Sequence, residues 1–547
     1  MNDHLPIISQ THLKTRRTEP VNHLQTLLDG FCDLSGVKNA GLTFKGLSLN
    51  SKKVHEDFLF LACDGVGNTS HHGIAYAGEA INKGASCIAW EPADELQEMP
   101  QSCTVAGKND VPLIRVESLL EKSGEIAARF YRHPSRELCI IGITGTNGKT
   151  SCTHFIAQLI RIMEKSVSEN NTCALIGTLG NGRIGKLQQS SHTTPDAVTL
   201  QGLMADYRDQ QVNTVVMEVS SHALAQGRVN GIEFDVAVLT NLSRDHLDFH
   251  GDMKSYANEK LKLFLNPQLK NILLNKDDVF SAQIIKQLKK ASSVGRKRKT
   301  QPTLLTYARK DQKADFYASD VRLNKTGIEF KLHRSGNIYA VKSVLIGDFN
   351  IDNLLAAIAV LEQQGFGLSM IINAIKELTT VPGRMEKIVP QTGAKQQPLL
   401  VVDYAHTPDA LVKALQAMRA HTEGKLWCVF GCGGDRDQGK RALMAEAVEQ
   451  YADEIIVTSD NPRSESPEKI IEDILSGFKV PHKVRVEIDR SRAIEQALNL
   501  LENNDALLIA GKGHENYQEI KGQKIAFSDK SCIEHFYKAD RNAGTSL

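Results

Sequence analysis

The sequence contains no apolar run approaching the ~18 residues that a membrane-spanning helix needs, which excludes an ordinary helical membrane protein. It has almost no charge imbalance. Its 547 residues sum to a net charge of +1, so no global field draws the chain to nucleic acid or to a membrane surface. Ten cysteines lie scattered from Cys32 to Cys532, without a Cys-x-x-Cys pair. The nearest spacing, Cys428 to Cys432, fits no zinc or redox motif, so ordinary buried thiols in a reducing compartment are expected. The first thirty residues are polar, with His4, Lys14, Arg16 and Arg17. They lack the apolar centre of a secretory signal, and the expectation is a cytoplasmic enzyme acting on small molecules.

What is present is the balance of a globular protein, 41% hydrophobic and 24% charged, at a length that predicts about three domains. Residues 1–40 read as an extension with a first helix at Val21–Cys32. Phe58–Cys63 and Ala85–Trp90 read as buried strands, with a helix at Gly73–Lys83 between them. His133-Pro134-Ser135 marks a break. Leu138–Ile143 is then a β-rich run followed by a glycine-rich turn and a helix from Lys149 to about Met163. Further short apolar runs at Thr214–Val219, Val236–Leu239 and Ile272–Leu274 have the character of parallel strands. After Pro382-Gly383-Arg384 come strands at Leu399–Asp403, Trp427–Phe430, Glu454–Thr458 and Ala506–Ala510. Helices alternate with them at Asp409–Ala420, Lys440–Tyr451, Pro467–Phe478 and Ser491–Asn503. The expected fold is α/β with three domains, 1–134, 135–381 and 382–547. The middle one opens with the strand–loop–helix unit of a nucleotide-binding domain, and the last one is doubly wound. The basic stretch Lys286–Thr300 is short and lacks aromatic partners, so it reads as a solvated loop.

The run Gly142-Ile-Thr-Gly145-Thr146-Asn147-Gly148-Lys149-Thr150-Ser151 carries the chemistry of a phosphate cradle. Glycines let backbone N–H groups face an anion at a helix N-terminus. Lys149 is placed for the outer phosphates and the Thr150 hydroxyl for Mg²⁺. The ordinary spacing asks for glycine six residues before the lysine, where Ile143 stands, so this is a variant loop. An acid is needed near the phosphates, and Glu218 ends the second strand of this unit. Ser220-Ser221-His222 follow it directly. His246 follows the next strand in Thr240-Asn-Leu-Ser-Arg-Asp245-His246-Leu-Asp248, where histidine suits metal or acid–base work.

Six ordered motifs then resemble the Mur ligases of peptidoglycan synthesis. They are Thr144-Gly-Thr-Asn-Gly-Lys-Thr150, Met217-Glu-Val-Ser-Ser-His222, Thr240 to Asp248, Gly347-Asp-Phe-Asn350-Ile-Asp-Asn353, Pro382-Gly-Arg384-Met-Glu386 and Asp403-Tyr-Ala-His406-Thr-Pro408. The resemblance runs from about Leu47 to Ser528. It implies an N-terminal domain for a UDP-linked substrate, a central P-loop-type ATPase domain and a C-terminal Rossmann-like domain for the amino acid. It also implies an ATP-dependent ligase that phosphorylates the D-glutamate γ-carboxylate of UDP-N-acetylmuramoyl-L-alanyl-D-glutamate. An amine would then attack the acyl phosphate.

By the same resemblance Gly145, Thr146, Asn147, Gly148, Lys149, Thr150 and Ser151 bind ATP, together with Asn350, Arg384 and His406. Thr150 and Glu218 hold one Mg²⁺. His246 and Lys260 hold a second, the lysine as a CO₂-derived carbamate; an ammonium there would repel the ion. Leu49, Ser51, Val66, Gly67, Asn68, Thr193, Thr194, Ser220, Gln226 and Arg228 take the UDP-linked substrate. His192 stands where the family has asparagine.

Arg436, Asp460, Asn461, Pro462, Arg463, Gly511 and Glu515 take the amino acid. Asp460-Asn-Pro-Arg463 resembles the branch of the family that adds meso-diaminopimelate. This fits a guanidinium pairing the extra carboxylate that lysine lacks. A lysine-adding ligase is the alternative within the family. A nucleotide-dependent switch is the alternative outside it, and it has no need for the Glu218, His246 and Lys260 set. A monomer is expected, without nucleic-acid or membrane partners.

Overall fold

The computed structural model describes residues 22–35, 41–64, 72–93, 102–103, 110–165, 172–190, 192–293, 301–390 and 397–544. The chain divides into two compact units, one comprising Met1–Tyr307 and Ala356–Gly367, the other Ala308–Leu355 and Leu368–Leu547.

The first unit begins with a small sheet of β1 (Gly46–Ser48), β2 (Phe58–Ala62), β3 (Ala85–Trp90), β4 (Ser102–Cys103) and β5 (Val111–Arg115). Its order is β1-β2-β3-β5-β4, and only the short β4 runs antiparallel to its neighbour. The same unit holds a larger sheet of β6 (Cys139–Thr144), β7 (Cys173–Gly177), β8 (Gly180–Arg183), β9 (Lys186–Gln188), β10 (Thr214–Glu218), β11 (Val236–Leu239), β12 (Asn271–Asn275) and β13 (Thr303–Ala308). These lie in the order β13-β12-β11-β6-β10-β7-β8-β9. The strands from β13 to β7 are parallel, while β8 and β9 fold back as antiparallel additions. Ile140, Ile141 and Ile143 of β6 and Val215, Val216 and Met217 of β10 are fully buried. Parallel strands covered on both faces need such unbroken apolar runs, and each side chain buried contributes roughly 1.5–3 kcal/mol. The carboxyl ends of β6, β10 and β11 are therefore fixed side by side, which places the loops that follow them together.

The second unit opens with an antiparallel meander of β14 (Phe316–Asn324), β15 (Gly327–Arg334) and β16 (Asn337–Ser343). It continues with β17 (Glu386–Ile388), β18 (Leu399–Asp403), β19 (Leu426–Phe430), β20 (Glu454–Val457), β21 (Arg485–Val486) and β22 (Ala506–Ala510). These form a sheet in the order β17-β18-β22-β19-β20-β21, parallel except at β17. A separate hairpin follows, β23 (Tyr517–Ile520) with β24 (Gln523–Ala526).

Several elements differ from the sequence expectation. The helix read at Val21–Cys32 is only Leu24–Leu28, because the chain turns at Gly30 with φ +72°. The helix read at Gly73–Lys83 is a 3₁₀ turn, Gly73–Tyr76, capped by the His72 ring, followed by the helix Ala77–Asn82. The sequence expectation includes no strands at the meander β14–β16, although Ile328, Phe330 and Leu332 of β15 are buried and alternate with Glu329, Lys331 and His333. Of the cysteines, none forms a disulfide; six are buried, whereas Cys32, Cys103, Cys139 and Cys532 are partly exposed. Most of the extension 1–40, the segment Val66–Asn68 and the basic run Arg296–Lys299 lie outside the described residues.

In the second unit, Arg490 and Asp529 form a fully buried ion pair, with Nε 2.7 Å and Nη2 2.9 Å from the two carboxylate oxygens. Arg490 Nη2 also donates to the Ala510 carbonyl at 3.0 Å. Removing one partner of such a pair strands a charge in low dielectric. Asp529→Ala is therefore expected to cost about 3–5 kcal/mol in denaturant unfolding, whereas the double change Arg490→Met with Asp529→Leu recovers most of that loss.

Candidate active site

The loop after β6 turns through Gly145 (φ +150°) and Gly148 (φ +84°) before the helix Lys149–Lys165 begins. A Cβ at Gly145 would stand 1.9 Å from Thr240 Oγ1, so this glycine is required for space as well as for φ. The loop is tied to the end of β11. Thr146 N donates to Asn241 O at 2.8 Å, and Asn147 N to Asn241 Oδ1 at 3.0 Å. Thr240 Oγ1 donates to Asn147 O at 2.6 Å. Lys149 Nζ donates to Gly145 O at 2.8 Å and to Thr146 O at 2.9 Å. Gly145→Ala is expected to displace the loop and destabilise the protein by about 2–4 kcal/mol, since overpacking adds to φ strain. A melting curve together with a nucleotide-binding titration checks this.

Glu218 is buried at the end of β10, next to the loop. Its Oε2 accepts from Thr150 Oγ1 at 2.8 Å, and its Oε1 from Thr178 N at 2.7 Å. Thr193 Oγ1 lies 3.0 Å from Thr178 Oγ1, and Thr194 Oγ1 donates to Glu218 O at 2.8 Å. Ser220 caps the helix Ser221–Ala225. The hydroxyls Thr150, Thr193, Thr194 and Ser220 thus gather near the end of β10, where Glu218 stands.

Lys260 is buried on the helix Met253–Phe264 and donates to Gly145 O at 2.9 Å. Its Nζ sits 4.6 Å from the centre of the Tyr256 ring. Burial first, and the nearby Lys149 charge second, hold the Lys260 amine well below the ordinary lysine range, with Asp245 opposing. Tyr256 OH lies 3.1 Å from Thr146 Oγ1. Sequence reasoning missed this tyrosine, although its place four residues before Lys260 puts both on one helix face. His246 stands at the head of Leu247–His250 with φ +54°. Its ring centre is 4.8 Å from that of His222. His222 is pushed down to about 4, by burial first and then by His246, His250 and Arg228. Among the described residues no three His, Cys, Asp or Glu side chains converge as a ready metal cage. Thr150 beside Glu218 does fit Mg²⁺, which takes few protein ligands and completes its shell from phosphates and water.

A cavity of about 640 Å³ opens beside Leu49, Asn50, Tyr131, His192, Gln226 and Arg228. Arg228 is held there by bonds to Gln226 Oε1 at 2.8 Å and Thr194 O at 2.9 Å. Ser51, Thr193, Thr194 and Ser220 do not line this cavity. The Ser51 hydroxyl is instead engaged by Glu79 Oε2 at 2.6 Å.

In the second unit, Asp460, Asn461, Pro462 and Arg463 form a turn after β20, near Gly511 and Glu515 after β22. Asn461 Nδ2 donates to Glu515 Oε2 at 2.8 Å, while Asn461 Oδ1 accepts from Lys512 Nζ at 3.0 Å. Buried Asp460 leaves no room at Gly511, where a Cβ would meet Asp460 Oδ2 at 2.4 Å. Burial raises the Asp460 carboxyl, and Arg490 and Lys512 partly offset this. Arg463 has φ +51°, and Arg436 is exposed. Arg384 stacks over the Tyr404 ring at 5.1 Å and keeps a buried Nε without a partner among the described residues. His406 Nδ1 lies 2.8 Å from Tyr404 O. Asn350 is buried and donates to Ile346 O at 2.8 Å.

A parallel sheet that presents a glycine-rich loop and a carboxylate at adjacent strand ends, with a buried helix lysine against the loop, defines a phosphate-handling α/β protein. Residues 143–361 match the Mur ligase middle domain, and residues 383–513 match the Mur ligase glutamate ligase domain. The UDP-N-acetylmuramoyl-L-alanyl-D-glutamate–2,6-diaminopimelate ligase of Pseudomonas syringae pv. tomato is 43% identical over 483 residues, 88% of this chain and 93% of its own. The ligase of the same name from Coxiella burnetii is 43% identical over 515 residues, 93% of this chain and 98% of its own. A solved structure of a ligase of that name matches with a TM-score of 0.69 at 36% identity, covering 96% of this chain and 100% of the other. A folylpolyglutamate synthase from Mycobacterium tuberculosis shares the fold at a TM-score of 0.55 and 18% identity, over 72% of this chain and 92% of its own. The chain belongs to the Mur ligase family.

Proposed function

We propose that the chain is an ATP-dependent ligase joining meso-diaminopimelate to the D-glutamate γ-carboxyl of UDP-N-acetylmuramoyl-L-alanyl-D-glutamate, in the cytoplasmic synthesis of peptidoglycan precursors. The observation that carries this reading is an Asp460-Asn-Pro-Arg463 turn in a chain 43% identical, over nearly its whole length, to ligases named for that amino acid. The segments 1–134, 135–381 and 382–547 are assigned to the UDP-linked substrate, to ATP and to the amino acid. Leu49, Gln226 and Arg228 at the cavity suit the UDP-linked substrate. His192 adds a contact of different chemistry from the family's asparagine.

A carboxylate does not yield its oxygen to an amine until it is activated. The γ-carboxylate oxygen takes the terminal phosphoryl group of ATP and ADP leaves. The amine then attacks the acyl carbon, a proton is lost, and phosphate departs. Lys149 and the N–H groups of the loop offset charge as two anions meet. Thr150 and Glu218 are proposed to hold one Mg²⁺, and His246 with a carbamate on Lys260 a second; bound there, the ions neutralise phosphoryl oxygens. Lys260 suits carbamate formation because CO₂ adds only to a neutral amine, the form that its burial favours. Asn350, Arg384 and His406 are assigned to the nucleotide. We further propose that the protein works as a monomer.

The test is ADP release with the UDP-dipeptide, comparing meso-diaminopimelate with L-lysine. Release that depends on both co-substrates and prefers diaminopimelate supports the reading. A preference for lysine replaces it with the lysine-adding reaction, and release that needs neither co-substrate rejects a ligase.

A further inference from the structure

The hairpin β23–β24 stands outside the six-stranded sheet, yet it holds the Asp460–Arg463 turn through Asp460, Asn461 and Arg463. Gln518 Nε2 donates to Asp460 O at 2.8 Å. Glu519 N donates to Asn461 Oδ1 at 2.9 Å. Arg463 N donates to Glu519 O at 2.9 Å, and Lys521 N to Arg463 O at 2.7 Å. The Glu519 carboxylate then reaches the side chain, with Arg463 Nε 3.1 Å from Glu519 Oε2. Arg463 Nη1 donates to Gly434 O at 2.7 Å.

We propose that Glu519 is a positioning residue that sets the specificity of this ligase, by fixing the plane of the Arg463 guanidinium so that its remaining edge meets the distal carboxylate of the incoming amino acid. The inference rests on the amino-acid specificity proposed above. A guanidinium is a planar fork on a flexible stem, and its value in recognising a carboxylate depends on that plane being set beforehand. Glu519 takes one N–H of the guanidinium and Gly434 another. Among the described residues Nη2 has no protein acceptor, so the part of the fork directed to a ligand is the part the protein leaves unused. Glu519 engages through one oxygen on Nε only, and so orients the group while leaving the Nη2 N–H groups to a ligand. The backbone bonds on both sides of Arg463 hold its left-handed conformation in the same register. Lysine carries no distal carboxylate, so it draws nothing from this arrangement.

The test is steady-state kinetics on Glu519→Ala and Glu519→Gln beside the wild type and Arg463→Ala, varying each substrate in turn. Glu519→Ala is expected to raise KM for diaminopimelate about tenfold, the scale of one charge-assisted bond. It lowers the preference over lysine to a similar degree and leaves KM for ATP and for the UDP-dipeptide within about twofold. Glu519→Gln, which keeps an acceptor, falls between. Glu519 is partly exposed, so both variants are expected to fold, which melting curves check. An unchanged KM for diaminopimelate in Glu519→Ala overturns the proposal, as does an equal rise for all three substrates. A wild type without preference for diaminopimelate defeats the functional reading itself. A wild type with that preference, lost in Arg463→Ala but kept in Glu519→Ala, defeats only this inference.

Discussion

Lys260→Ala is expected to lower the rate of ADP release about a hundred- to a thousandfold, the scale of losing one fixed electrostatic group at a phosphoryl-transfer centre. Added formate or acetate is expected to restore part of the rate. Ordinary surface lysines give neither result. Lys260 is buried, donates to the carbonyl of Gly145, lies over the Tyr256 ring and shares its surroundings with Lys149. Two ammonium groups so placed repel each other, and the amine is driven toward its neutral, nucleophilic form. As a carbamate the side chain instead brings a negative charge toward the loop, and a short free carboxylate can enter the space that alanine leaves. Initial rates with and without the added acid, on protein whose melting curve matches the wild type, decide the matter. Near wild-type turnover in Lys260→Ala would sink the assignment.

Arg463→Ala is expected to lower kcat/KM for diaminopimelate by about 2–4 kcal/mol, or roughly two orders of magnitude. ATP and lysine parameters should change little. The left-handed backbone at Arg463 is already occupied by a residue with a Cβ, so alanine introduces no new strain and the loss reports the guanidinium. A parallel loss in ATP use would assign Arg463 to the framework of the turn rather than to the amino acid.

What the sequence revealed followed from how local the physics is. A β-rich run, three glycines, a lysine and a helix are consecutive, so β6 and its phosphate loop could be read directly. Glu218 and His246 were legible because polar residues at the ends of apolar strands stand out. The cavity-lining residues Leu49, Gln226 and Arg228 came from resemblance, and Tyr131 beside them carried no signal. Ser51 came from resemblance as well, and its hydroxyl donates to Glu79. Tyr256 and Glu519 act through contacts with residues far away in the chain or across a turn. Neither residue type announces such a role. The meander β14–β16 carried a legible signal that the sequence reading did not use: buried Ile328, Phe330 and Leu332 alternate with Glu329, Lys331 and His333, the two-residue period of a half-buried strand.

The fit between Gly145 and Thr240 also constrains how this chain can drift over generations. Alanine at 145 collides with the Thr240 hydroxyl. Shortening Thr240 to relieve that collision would untie the bond to Asn147 O that holds the loop. Either single step disturbs the loop, and taking both leaves it to the bonds with Asn241. The two positions, nearly a hundred residues apart, are therefore expected to tolerate change only together.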